Sequence, residues 1–284
     1  MTPVVEGEEL TISYLGIFLF ADTQTRRKLL HGTKFFACRC ARCESTSDLC
    51  NRLPCPKCHK REAGKYLPQE VEWEEEPVAY VTDLGAGGQA ASCCGKCATA
   101  AKASEPAVVL GRKTADKIAE RLLRRTAADI DCEEDQLEQD DLDRQLLGLA
   151  SSIVGAKHWT TNLLGLLLLD RQLADFNRML LVGENPDMVE LAEAIDTLDR
   201  LWAYAGGLDL GAHAPERLLH RQAISVARAL VARGDSKSKK FGSQWAAKVK
   251  VWCDLYEGPE YSKVCDNLAT AGNEGDAAKK QRTK

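Results

Sequence analysis

Three thiols crowd into six residues at Cys38-Arg39-Cys40-Ala41-Arg42-Cys43. Sulfurs this close along one strand of chain are hard to satisfy as disulfides, which demand defined separations and dihedrals, but they suit a soft cation that takes four ligands tetrahedrally. Zinc is the expected metal. A fourth ligand is needed, and the candidates are His31, Cys50 or a group outside this chain. Two Cys-x-x-Cys knuckles, Cys55-Pro56-Lys57-Cys58 and Cys94-Gly95-Lys96-Cys97, together supply one complete four-thiolate set, and Cys93 could exchange with Cys94. Both sites read as structural, because closure by sulfur leaves no position for a catalytic water. The rival use of Cys-x-x-Cys, thioredoxin-like redox chemistry, is disfavoured: neither knuckle follows a strand and opens a helix.

The cysteines are a local device. Nine of the twelve lie between Cys38 and Cys97, leaving Cys132, Cys253 and Cys265 scattered behind them. The first residues show no basic stretch followed by an apolar run, so a secretory signal is not expected and a reducing compartment, nucleus or cytoplasm, is. There metal binding is favoured over disulfides. The longest apolar run, Leu163 to Leu169, is far short of the roughly 20 residues that cross a bilayer. A net charge of −4 gives no chain-wide attraction to nucleic acid or anionic lipid.

These sulfurs must be held by surrounding elements. Residues 9 to 20 open with Leu10, Ile12 and Tyr14 alternating with polar neighbours, which predicts a short strand. Thr25 to His31 predicts a brief helix ending at Gly32. Between Cys58 and Cys93, Pro68, Pro77 and Gly85-Ala86-Gly87-Gly88 predict loops or short strands held by something other than a core. After Pro106 the apolar residues recur at helical period, and breaks at Gly183 with Pro186, Gly206-Gly207, Pro215 and Gly234 divide the segment into six or seven helices joined by short links.

Other signals are read as ordinary surface. Asp129 to Asp143 holds nine acids and no base, and is taken as a solvated helix face rather than a dock for basic tails. The lysines at 237, 239, 240, 248 and 250 have only Phe241 and Trp245 among them, which argues against a nucleic-acid surface. His158 and Trp159 are expected to cap or pack at a helix start. Gly85 to Gly88 lacks a phosphate-loop ending, and neither a metalloprotease histidine pattern nor a Gly-x-Ser-x-Gly elbow occurs.

The order Glu6-Gly7-Glu8-Glu9-Leu10-Thr11-Ile12-Ser13-Tyr14, then Arg26-Arg27, then Phe35-Phe36-Ala37-Cys38-Arg39-Cys40-Ala41-Arg42-Cys43 closely resembles the end of SET domains in the SMYD family. It looks most like the arthropod SmydA branch, which includes proteins called msta, and which also carries a second pair of knuckles and a helical C-terminal region. The likeness is specific over residues 6 to 58 and loose beyond. It implies protein-lysine methylation from S-adenosylmethionine. Tyr14 then matches the tyrosine whose hydroxyl sits at the methyl-transfer channel, and Phe36 the aromatic that packs on the cofactor's adenine. Cys38, Cys40 and Cys43 match the post-SET zinc ligands, with Cys55, Cys58, Cys94 and Cys97 as the second set. A lysine amine, with an ordinary pKa of about 10.4, must lose its proton and be aimed in line for that reaction. Family members also carry a MYND zinc finger, a Gly-rich cofactor loop and an Asn-His-x-Cys-x-Pro-Asn segment, and this chain starts after all of them.

The expected fold is α+β but predominantly α. Residues 1–36 would be the end of a β-rich SET domain, 37–100 a zinc-stapled post-SET region, 107–269 a bundle of antiparallel helices, and 270–284 a disordered tail. The implied activity is methyl transfer to a protein lysine, a histone among the candidate substrates, with this chain inactive alone. The alternative is a noncatalytic zinc module that binds a protein partner, as in transcriptional repression.

Overall fold

Leucine spacing sets the architecture of the second half of the chain. In the computed structural model, which describes residues 13–45, 48–54, 78–80, 92–93, 100–101, 106–127, 133–208, 210 and 214–271, the described residues of that half are mostly helical. Seven helices follow Pro106 among the described residues: α3 to α9, after α1 (Thr23–Lys34) and the short α2 (Ala41–Glu44). They are α3 (Pro106–Ala127), α4 (Glu133–Ile153), α5 (Trp159–Leu181), α6 (Met188–Gly206), α7 (Ala214–Ala232), α8 (Ser236–Tyr256) and α9 (Pro259–Ala271). Each packs on the next, from α3 on α4 to α8 on α9, as the short links between them require.

Helix α5 is the central element, contacting α3, α4, α6 and α7. Its Leu163, Leu166, Leu169, Leu173 and Phe176 recur every three or four residues and are all buried. Each such side chain contributes roughly 1.5–3 kcal/mol by leaving water. The start is set by His158, whose Nδ1 accepts the Thr160 N–H at 3.2 Å, so the expected capping role is what the residue performs. Asp187 and Asp235 cap α6 and α8 in the same way, accepting from Val189 N at 2.7 Å and Ser238 N at 2.9 Å.

The N-terminal segment differs from the sequence expectation at two points. Gly16–Phe20 is a 3-10 turn rather than a continuation of extended chain. Gly16 has φ +50°, which breaks an extended run, and the three-residue period places Ile17 and Phe20 on one face, against the helical core. Helix α1 runs through Gly32 and ends at Phe35, which takes the left-handed conformation with its N–H on the His31 carbonyl at 3.2 Å. An exposed mid-helix glycine costs only about 1 kcal/mol and does not by itself stop a helix. The part of the expected strand before residue 13 lies outside the described residues, as do Cys55, Cys58, Cys94, Cys97 and the tail from residue 272.

Two short antiparallel pairs make up the described β structure: β1 (Arg52–Pro54) with β2 (Val78–Tyr80), and β3 (Ser92–Cys93) with β4 (Ala100–Ala101). Strand β1 is wedged against the helices. Leu53 buries with Val108, Ala115 and Val154, and Pro54 lies over Gly155, where a Cβ would meet Pro54 Cγ at 2.8 Å. Gly155 also has φ +92°, so both its conformation and its emptiness are used.

The acidic run and the lysines are less simply solvated than expected. Asp143 is buried, 3.2 Å from Arg121 Nε on α3 and 3.8 Å from Arg171 Nη1 on α5, which ties three helices together. Lys248 Nζ sits 4.0 Å from the Trp202 ring centroid, and Lys250 Nζ pairs with Asp254 at 3.1 Å and Asp266 at 3.0 Å. Lys237 and Lys240 remain exposed.

Two measurements check this account. Gly155→Ala is expected to cost at least about 2 kcal/mol in urea unfolding, combining left-handed strain with the Pro54 clash, whereas Gly32→Ala is expected to stabilise by up to about 1 kcal/mol. Burial lowers the pKa of His158 to about 3. The unfolded chain therefore takes up a proton near pH 6.5 that the folded chain refuses, so stability falls as pH drops below 6.5, by about 2 kcal/mol at pH 5 from this residue. His158→Asn, which keeps a cap oxygen, is expected to flatten that part of the pH profile measured by urea unfolding at pH 7 and pH 5.

Candidate metal centre

The thiol triad is assembled by chain geometry over few residues. After α1 ends at Phe35, the chain is extended to Cys40, which starts α2 and whose carbonyl accepts the N–H groups of Cys43 at 2.9 Å and Glu44 at 3.0 Å. That single turn folds Cys43 back over Cys38 and Cys40, and the three Sγ atoms lie within 4.8 Å of one another. Tetrahedral zinc with sulfur at 2.3 Å separates its ligand sulfurs by about 3.8 Å, so the donor set fits the ion after small side-chain adjustments. Cys38, Cys40 and Cys43 would hold it as thiolates, and it would staple the end of α1 to α2.

The electrostatics around the sulfurs are graded. Burial raises the Cys43 thiol, an effect that the adjacent Arg26 guanidinium opposes and the Cys40 and Cys38 sulfurs reinforce. Burial also pushes Cys40 upward, but the Cys43 N–H, the Cys38 and Cys43 thiols and the Arg42 N–H outweigh it and hold Cys40 below its ordinary value. Arg26 is only 1% exposed although it carries a full charge. Its guanidinium donates to the Ala21 carbonyl, to Thr23 Oγ1 at 2.8 Å and to Cys43 Sγ at 3.7 Å. Burial opposes that charge, yet the Cys43 sulfur, Asp48 and Cys50 leave its pKa above the ordinary value. Arg27 adds a bond to the Cys43 carbonyl at 3.0 Å.

No other cysteine, histidine or carboxylate among the described residues joins the group. His31 is exposed on α1. Cys50 is fully buried, and its sulfur is taken by Arg42 Nη2 at 2.9 Å, while Arg42 Nη1 donates to the Leu19 carbonyl at 2.8 Å. Burial raises the Cys50 thiol, with Arg42 acting against it. Tyr204 on α6 lies beside this sulfur and donates to the Phe20 carbonyl at 3.0 Å, with the two rings edge to face at 5.5 Å. Cys50 is thus a joint between the cysteine-rich segment and the helical core rather than a fourth ligand.

Tyr14 and Phe36, which the sequence resemblance pairs at one site, do meet. Their ring centroids are 6.3 Å apart in an edge arrangement, with Lys34 Nζ 5.4 Å from the Tyr14 centroid. Neither is buried: Tyr14 is 55% and Phe36 40% exposed. Phe36 is therefore not a core residue, and it lies two positions before Cys38 in the sequence.

The second set of cysteines lies outside the described residues, but the strands that flank it are in place. Strand β1 ends at Pro54, directly before Cys55, and β3 and β4 bracket positions 94–99. Contacts of β2 with β1 and with β3 draw those flanks together.

The contacts of Arg26 and Arg42 with cysteine sulfurs are what spacing does not single out, and Cys50, a candidate ligand by spacing, is instead held by Arg42. Set beside known proteins, the chain matches no protein-family model and no curated protein.

Replacing Cys38, Cys40 and Cys43 together by serine is expected to remove one zinc per chain, read by elemental analysis against the parent protein. Equal metal content in the two would eliminate the triad as a site.

Proposed function

We propose that residues 13–54 are the end of an SMYD-type SET domain with its post-SET zinc staple, docked on a helical C-terminal domain. Two observations support the reading: Tyr14 meets Phe36, and the Cys38, Cys40 and Cys43 sulfurs gather within 4.8 Å of one another, both sets of residues being ones the resemblance assigns to a single site. The wider reading is membership of the protein-lysine methyltransferases that use S-adenosylmethionine, with a protein, histones included, as substrate or partner. The zinc would be structural, at the triad and at Cys55, Cys58, Cys94 and Cys97.

By itself this polypeptide is proposed to be inactive. Methyl transfer requires the deprotonated amine to be aimed in line and kept from bulk water, whereas Tyr14 stands more than half exposed among the described residues. That exposure favours the second reading for the chain alone: a noncatalytic zinc and helix module that binds a protein, with transcriptional repression as a setting. No described helix is long and apolar enough to cross a membrane.

Titration calorimetry with S-adenosylmethionine and a radiolabelled methyl-transfer assay on histones separate the readings. The expected result for the 284-residue chain is no turnover. Turnover that Tyr14→Phe abolishes, with zinc content unchanged, would establish a competent active site in this chain and overturn the noncatalytic reading.

A further inference from the structure

Helix α5 contains a glycine that packing does not demand. Gly165 lies between Leu164 and Leu166 in the middle of the helix, where glycine costs about 1 kcal/mol relative to alanine. Close helix contact is the usual reason for such a residue, but a Cβ built there would meet one atom only, Thr197 Cγ2, at 4.0 Å. What the missing side chain leaves is space. Gly165 lines a half-open cavity of about 370 Å³ bordered by α4, α5, α6, the link before α5 and the Leu49–Arg52 segment, within the size range of small-molecule sites.

The charged residues of the described lining are of one sign. Leu147, Leu201 and Leu208 give it apolar walls, and Arg52, Lys157 and Arg200 bring three cations, with no acid among the described lining residues. Arg200 is braced, its Nη2 donating to Thr197 Oγ1 at 2.9 Å and its Nε lying 3.3 Å from the exposed carboxylate of Asp196. The link that carries Lys157 is also pinned. Thr161 Oγ1 donates to the Gly155 carbonyl at 2.9 Å, and Asn162 Nδ2 donates to the Ala156 carbonyl at 2.7 Å and the His158 carbonyl at 2.9 Å. Cations held on a rigid frame around an apolar hollow match a ligand with an acceptor head and an apolar body, because planar guanidinium groups pair with carboxylate or phosphate oxygens.

We propose that this cavity binds a small amphiphilic anion, an apolar body bearing one carboxylate or phosphate head. Arg52, Lys157 and Arg200 take the head, and Gly165 leaves room for the body. The site is separate from the cysteine triad and independent of any methyl transfer.

Calorimetry on the full zinc-loaded chain with octanoate, octyl phosphate, 1-octanol and inorganic phosphate tests it. At least one of the two amphiphilic anions is expected to bind with 1:1 stoichiometry and at least tenfold tighter than octanol or phosphate, and the tighter of the two names the head group. Gly165→Leu is expected to lower that affinity at least tenfold with an unchanged or raised Tm, since leucine favours helix and fills the hollow. Lys157→Glu is expected to lower it at least fivefold and decides the matter if the leucine variant does not fold. Octanol binding as tightly as both anions, no binding of either anion, or a folded Gly165→Leu chain that binds like the parent would each overturn the proposal.

Discussion

Three ionisable sulfurs held within a few ångströms of one another, with a buried guanidinium alongside, form an arrangement that could hold a metal ion. As thiolates without one they would repel. A tetrahedral cation resolves the conflict, and the Cys40 carbonyl and the Arg26 guanidinium already hold Cys43 where such an ion needs it. A metal held there would add to a thin apolar core: among the described residues between Tyr14 and Pro54 the buried apolar side chains are Phe20, Ala21, Leu30, Cys43, Cys50 and Leu53.

The cysteine-rich segment is coupled to the helical domain by polar contacts that are expensive to break. Arg42 bridges the Leu19 carbonyl and the Cys50 sulfur, and Tyr204 closes on the Phe20 carbonyl. Each of these groups is buried or half-buried, so an orphaned partner would cost roughly 1–3 kcal/mol. On the other side of Cys50, Leu53 and Pro54 sit in space vacated by Gly111 and Gly155. Residues 16–20 and 49–54 are thereby tied to the helical core, and the aromatic pair Tyr14 and Phe36 is exposed. A surface of this kind can be completed by another segment or partner, which is the physical content common to both functional readings.

Much of this was legible in the sequence, and the parts that were not share a cause. Leucine spacing from Leu163 to Phe176 and the glycines near residues 183 and 234 are local signals, and they mark the helices, whereas the capping aspartates Asp187 and Asp235 emerge only from the structure. The Cys38, Cys40 and Cys43 spacing marked the triad for the same reason. Partners distant in sequence were not legible. Asp143 sits in an acidic run that looks solvated, and only the approach of Arg121 and Arg171 from two other helices makes it a buried tie. Cys50 looked like a spare ligand until Arg42 and Tyr204 enclosed it. Alternation up to Tyr14 suggests a strand, whereas burial of Ile17 and Phe20 against the helices selects a three-residue period over Gly16–Phe20. Gly32 suggests a stop, but an exposed helix position tolerates glycine.

The central claim is a thiolate-bound metal at the triad, and zinc K-edge X-ray absorption tests it most directly. The sample is the full chain with Cys55, Cys58, Cys94 and Cys97 replaced by serine, so that the remaining cluster alone reports. The account predicts one zinc per chain with at least three sulfurs at about 2.3 Å. A chain that retains no zinc, or a first shell of nitrogen and oxygen with two sulfurs or fewer, would contradict it.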